Sequence, residues 1–178
     1  MVETYEPKFP GLLQLWKGHD LAFHGPEFGN HRPWFYEGLK REDELLVWKF
    51  IEEKYLLRYR ELIGVRFEWS AEGLWSIPFP GSVAYGEYRS PDHFGMPESL
   101  VEKIREWHME LDRLEPGEES PNPDHQASRE KGLAAAKGVK AFLGEDYYVE
   151  FQPFREIAIL NGDLVELEVP EFIVGLTR

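Results

Sequence analysis

Hydrophobic positions recur at two periods along this chain, and the places where one period gives way to the other outline its elements. From Glu42 to Ile63, Trp48, Ile51, Tyr55, Tyr59 and Leu62 fall on one helical stripe. Glu42, Asp43 and Glu44 stand in the first turn, where the helix dipole favours carboxylates, and Gly64 is the expected stop. The period then drops to two. Val65, Phe67 and Trp69 alternate with Arg66 and Glu68, Ser70 to Gly73 form a turn, and Trp75, Ile77 and Phe79 alternate again, which predicts a hairpin. Pro78 and Pro80 end that strand or hold it at a sheet edge, and Ser82 to Tyr88 offers a short third strand.

A second helical stretch opens at Pro97 and runs to about Arg113, with Leu100, Val101, Ile104, Trp107 and Leu111 on one face. Residues 114–124, rich in Pro, Gly, Ser and Glu, read as a flexible loop. A third helix is expected from about His125 to Leu143, capped by Asp124 and ended by Gly144. Its Ala134, Ala135, Ala136 and Gly138 allow close approach to a sheet. The most explicit local signal comes last. Glu156 to Leu160 and Asp163 to Val169 flank Asn161-Gly162, the pair favoured in a two-residue type I′ turn. That turn pairs Leu160 with Asp163, Ile159 with Leu164 and Ile157 with Glu166. One face then carries Ala158, Leu160, Val165, Leu167 and Val169, which reads as core. The other carries Ile157, Ile159 and Leu164 beside Glu166 and Glu168, an apolar patch bordered by acid that fits either a face beneath a helix or an exposed interface.

Residues 1–41 mix Pro, Gly, His and aromatics without a sustained period, and are expected to be an irregular segment pinned to the core by side chains such as Phe9, Leu12, Trp16 and Trp34. Helices and antiparallel hairpins in this order predict one α+β domain over residues 1–178, an antiparallel sheet with about three helices packed on it.

Composition narrows the function classes. The chain has 178 residues and 26 aromatic ones, enough for a sizeable core. It has no cysteine, which removes disulfides and thiolate chemistry and fits a cytoplasmic protein. No apolar run approaches a membrane span of about 20 residues, and the N-terminus lacks a basic region followed by an apolar one. The net charge of −13 disfavours nucleic acid and anionic membranes as partners. The acid is uneven: residues 1–89 hold 14 acids and 11 bases, residues 90–178 hold 19 and 9. From Glu145 to Glu171 there are Glu145, Asp146, Glu150, Glu156, Asp163, Glu166, Glu168 and Glu171 against Arg155 alone, so a basic protein partner is steered to the C-terminal half.

Chemistry-bearing motifs are sparse. His19-Asp20, His24, Glu27 and His31 lie close together in sequence, but their spacing matches no compact metal-ligand frame, and no metal or cofactor is expected. Asp92-His93 is a possible acid-base pair or simply the turn before the next helix. No Gly-flanked serine or phosphate-binding glycine loop is present, and no catalytic residue is assigned.

Met96-Pro97-Glu98-Ser99-Leu100-Val101 through Trp107, then Glu130-Lys131-Gly132-Leu133-Ala134 through Phe142-Leu143-Gly144, then Tyr148-Val149-Glu150-Phe151 form a pattern that resembles small bacterial immunity proteins of polymorphic toxin systems. The resemblance covers about a third of the chain. It implies a stoichiometric inhibitor that occludes a basic toxin or effector domain, and it transfers no catalytic residue. On that reading Glu150, Asp163, Glu166 and Glu168 pair with the partner's cations, Ile157, Ile159 and Leu164 form the apolar centre, and the Trp34 to Tyr36 aromatics, Trp34 and Tyr36 among them, add an anchor. Two alternatives stay open: a metal-dependent or acid-base hydrolase using the His19 to His31 loop with Asp92-His93, and an assembly protein of a phage or secretion system whose hairpin meets another copy. The oligomeric state is not read from the sequence.

Overall fold

Two strands that are far apart in sequence lie side by side at the centre of the molecule. The computed structural model describes the backbone of residues 5–22, 44–66, 73–80, 82, 86–112, 123–152, 158–161 and 163–164, with side chains except at 18–22, 112, 123–126, 152 and the residues after 152. β1 (Glu61–Arg66) pairs in parallel with β4 (Tyr147–Gln152), Glu61 opposite Tyr147 and Arg66 opposite Gln152. β2 (Leu74–Ser76) and β3 (Glu87–Tyr88) extend the sheet antiparallel beyond β1, and β5 (Ala158–Asn161) and β6 (Asp163–Leu164) extend it beyond β4. The order is β3-β2-β1-β4-β5-β6. The domain is therefore α+β as predicted, but the sheet is mixed rather than antiparallel. Between β1 and β4 the chain passes through β2, β3 and two helices, and a crossover of that length is what a parallel pair requires.

Those helices, α3 (Glu98–Asp112) and α4 (Pro123–Leu143), cover one face of the sheet. Leu100, Val101, Ile104, Trp107 and Leu111 of α3 are buried, as their spacing predicts, against Ala135, Ala136 and Val139 of α4 and Ile63, Val65, Leu74, Val149 and Phe151 of the strands. Small residues set the distance between the layers. A Cβ on Gly132 would fall 2.5 Å from Cε2 of Trp107 and 2.8 Å from Cζ of Phe151. α4 ends where expected: Gly144 adopts a left-handed φ of 78° and its N–H donates to the carbonyl of Lys140 at 2.9 Å.

The opposite face is covered by the segment before β1, which departs from the predicted helix over 42–63. α2 (Glu44–Ile51) widens into a π-helical turn over Glu52–Leu56, and Leu62 and Ile63 belong to β1, so Gly64 is a buried strand residue and not a helix stop. Tyr55, Leu62, Ile77 and Tyr148 form the core there. A third cluster joins Val47, Trp48, Ile51 and Phe79 to Leu13 and Trp16. The last two lie on α1 (Pro10–Ala22), a helix inside the stretch expected to be irregular. Pro10 at its first position and the spacing of Leu12, Leu13, Leu15 and Trp16 are the local reasons it forms. The described residues thus contain four α-helices, one more than predicted, the extra one being α1. The loop expected over 114–124 falls mostly outside the described residues.

Candidate functional site

β4 carries the one predicted partner-binding residue whose side chain is described, and it points inward. Glu150 is 0 % exposed. β4 is an interior strand paired along both edges, to β1 and β5, and Glu150 stands opposite Gly64 on one side and Ile159 on the other. Gly64 has no side chain, which leaves width for a carboxylate beside it. The Tyr148 hydroxyl donates to Glu150 Oε2 at 2.7 Å. Tyr55 lies above the same face, its ring 5.1 Å from that of Tyr148, and its phenol is pushed well above the usual tyrosine range by burial and then by the negative charge of Glu150. The expectation that Glu150 lines an exposed acidic rim is corrected: it is an internal charge bound to a tyrosine.

The terminal hairpin forms with a register one residue away from the prediction. Leu160 stands opposite Leu164 and Asn161 opposite Asp163, where a two-residue loop would set Leu160 opposite Asp163. A one-residue slip exchanges the faces of a strand. Leu164 consequently shares a face with Leu160 and not with Ile159, while Ile157, the third member of the predicted patch, lies outside the described residues. Ile157, Glu166, Glu168, Trp34 and Tyr36 lie outside the described residues, and for Ile159, Asp163 and Leu164 only the backbone is described.

The candidate catalytic groups are not brought together among the described residues. His24, Glu27 and His31 lie outside them, as does the side chain of His19. Asp92 and His93 sit on an exposed 3₁₀ turn, Pro91–Phe94, whose start is capped by Ser90 Oγ accepting from the Asp92 N–H at 3.3 Å. The His93 ring meets Phe94 edge-on at 4.9 Å. This is a capped turn leading into α3. Among the described residues no group of His, Asp and Glu is arranged to hold a metal ion.

The sequence reading missed the buried charged residues Glu52, Arg66 and Lys140. Glu52, also 0 % exposed, accepts from four donors: Oε1 from the Phe9 N–H at 2.8 Å and Trp48 Nε1 at 2.7 Å, and Oε2 from the Lys8 N–H at 3.2 Å and the Tyr5 hydroxyl. It sits where α2 widens, and the extra residue of a π turn re-aims a side chain. The available signal was its position four residues after Trp48, on the buried side of an aromatic stripe. Arg66, at the end of β1, lies 4.5 Å from the ring centre of Trp75 and donates from Nη1 towards the Ser82 carbonyl at 3.4 Å.

The chain carries a net charge of −13, with 19 acids and 9 bases in residues 90–178. Some carboxylates of the described strands and helices are paired locally, as in Arg89 with Glu61 at 2.9 Å and Lys131 with Glu110 at 2.9 Å. No helix among the described residues is long and apolar enough to cross a membrane. Compared with protein-family models, with curated proteins and with solved structures, the chain matches none.

Proposed function

We propose that this protein is an acidic binding module of the inhibitor type, an immunity-like protein of the cytoplasm that captures a basic toxin or effector domain and covers its working surface. The observation that supports this reading is the net charge of −13, most of it in residues 90–178, which hold 19 acids and 9 bases. A field of that kind attracts a basic protein from beyond contact range and accelerates encounter, and fast capture is what an inhibitor needs. Asp163, Glu166 and Glu168 are the carboxylates assigned to the partner's cations. Glu150 is not among them, because it is buried. Of the hydrolase alternative's groups, Asp92-His93 sit on an exposed, capped turn, and the side chains of His19, His24, Glu27 and His31 lie outside the described residues.

Affinity capture from a lysate of the source organism tests the proposal, with wild type compared to an Asp163→Lys, Glu166→Lys, Glu168→Lys variant shown to fold by circular dichroism. Recovery of one basic protein by the wild type, and its loss with the variant, is the expected result. Equal recovery by both, or recovery of an acidic partner, overturns the assignment of the surface.

A further inference from the structure

Against this acidic background, three basic residues stand unpaired with carboxylates within the seven positions from Lys54 to Arg60. Lys54, Arg58 and Arg60 are all exposed, and among the described residues none forms an ion pair. Each rests instead on aromatic rings. Lys54 Nζ lies 5.2 Å from the ring centre of Phe50 and 5.6 Å from that of Tyr55; Arg58 Cζ is 5.3 Å from Tyr59 and Arg60 Cζ 5.9 Å from Tyr147. The rings form a continuous platform, Phe50 to Tyr55 at 6.0 Å, Tyr55 to Tyr148 at 5.1 Å and Tyr148 to Tyr59 at 5.8 Å. A fourth cation, Lys140, approaches the Tyr59 ring at 5.9 Å, though its ammonium is engaged by the carbonyls of Gly144 and Tyr147. The exposed carboxylates at this end are Glu145 and Asp146, and Glu53, which is held by Lys49 at 3.8 Å.

An exposed guanidinium presents N–H donors that take a carboxylate in two-pronged fashion. Leu57, between Lys54 and Arg58 in the sequence, is 47 % exposed and offers an apolar contact. The backbone beneath is already ordered. The N–H groups of Leu57, Arg58, Tyr59 and Arg60 donate to the carbonyls of Glu52, Tyr55, Tyr55 and Asp146 at 2.9, 3.3, 3.1 and 2.8 Å, so binding loses little freedom there.

We infer that the exposed side chains of Lys54, Leu57, Arg58 and Arg60, with Phe50, Tyr55 and Tyr59 beside them, dock an acidic peptide segment of a partner protein, one that presents Asp or Glu side chains around an apolar residue. A short carboxylate-bearing segment feels the local cations within a screening length of about 8 Å at physiological salt. A long polyanion such as nucleic acid also feels the whole molecule, whose charge is −13, and is repelled. This surface is opposite in sign to the one used by the inhibitor reading, and its test needs no captured toxin.

Fluorescence anisotropy with a fluorescein-labelled Glu- and Asp-rich peptide bearing one central Leu tests the inference, with a Ser-substituted peptide and single-stranded oligothymidine as comparison probes. The expected result is saturable, salt-sensitive binding of the acidic peptide to wild type, weakened about tenfold or more in an Arg58→Ser, Arg60→Ser variant and weakened separately by Leu57→Ser. All three positions are exposed, and unchanged circular dichroism and urea midpoint establish that the variants fold. No binding by the acidic peptide, equal binding by the double variant, or preference for oligothymidine overturns it.

Discussion

A carboxylate sealed from water is tolerable only where donors replace its hydration, and Glu52 has four. Two of these are backbone N–H groups of Lys8 and Phe9, so Glu52 also fixes the path by which the N-terminal segment reaches α1. Glu52→Ala removes every acceptor at once and strands buried donors. It is expected to cost about 3 kcal/mol or more, whereas Glu52→Gln, keeping the shape and one carbonyl oxygen, is expected to cost less. Urea denaturation of both variants checks the order. Tyr55 gives the pH counterpart. Its phenol keeps its proton above the ordinary tyrosine range because of burial and Glu150. Once pH passes about 10, the unfolded chain releases a proton that the folded chain retains, so this group lowers stability by about 1.4 kcal/mol for each further pH unit until the folded phenol ionises. Below that window it contributes no pH dependence. Tyr55→Phe is therefore expected to lose less stability than wild type between pH 9 and pH 11, read from urea midpoints; identical alkaline slopes would rule out the coupling.

Where recognition was local, the elements were legible. Pro97 and the stripe from Leu100 to Leu111 mark α3, and Gly144 marks the end of α4, because caps and amphipathic spacing act within one or two turns. The β1 to β2 hairpin was legible only in part: Val65 pairs with Leu74 on the expected two strands, whereas Gly64, read as a helix stop, pairs with Trp75, and Phe67 and Trp69 lie outside the described residues. What was not legible depended on distant neighbours. The β1 to β4 pair joins residues more than 80 positions apart, and nothing local distinguishes a parallel from an antiparallel partner. Glu150 reads as a surface residue until the strand on each side of β4 is known. The helix over 42–63 was overextended because Leu62 and Ile63 continue an apolar run whose strand identity is decided by Tyr148 and Val149 alongside. Spacing between elements is itself testable. A methyl on Gly132 would lie 2.5 Å from Trp107, so Gly132→Ala must push α4 away from α3 and the sheet. Overpacking of this kind costs about 1–3 kcal/mol, against a gain in helix propensity of about 1 kcal/mol. Net destabilisation is expected from thermal or urea unfolding. A second substitution, Trp107→Phe, opens room beside the new methyl and is expected to recover part of the loss, whereas simple additivity of the two costs would show that the clash is not the cause.

At the scale of the molecule, the net charge of −13 lies mostly in the second half of the chain, where residues 90–178 hold 19 acids against 9 bases. Among the described residues Glu61 and Glu110 meet local cations, and Glu52 and Glu150 meet buried donors. A net charge of that size acts at a distance, and an electrostatic field acts on encounter rate more than on the lifetime of a complex. The three-site lysine variant at Asp163, Glu166 and Glu168 moves the total charge from −13 to −7 without touching the described core clusters. Its urea midpoint is expected to stay within about 1 kcal/mol of wild type. Association with a captured basic partner, followed by stopped flow, is expected to be slower by about tenfold or more at low salt, and the two rates are expected to converge as screening lengths fall to about 3 Å near 1 M salt. Equal rates at low salt would mean that these carboxylates do not steer the partner. A variant rate that stays low at high salt would instead assign them a contact role, in which the loss persists because the bonds are short-ranged and not because the field has changed sign.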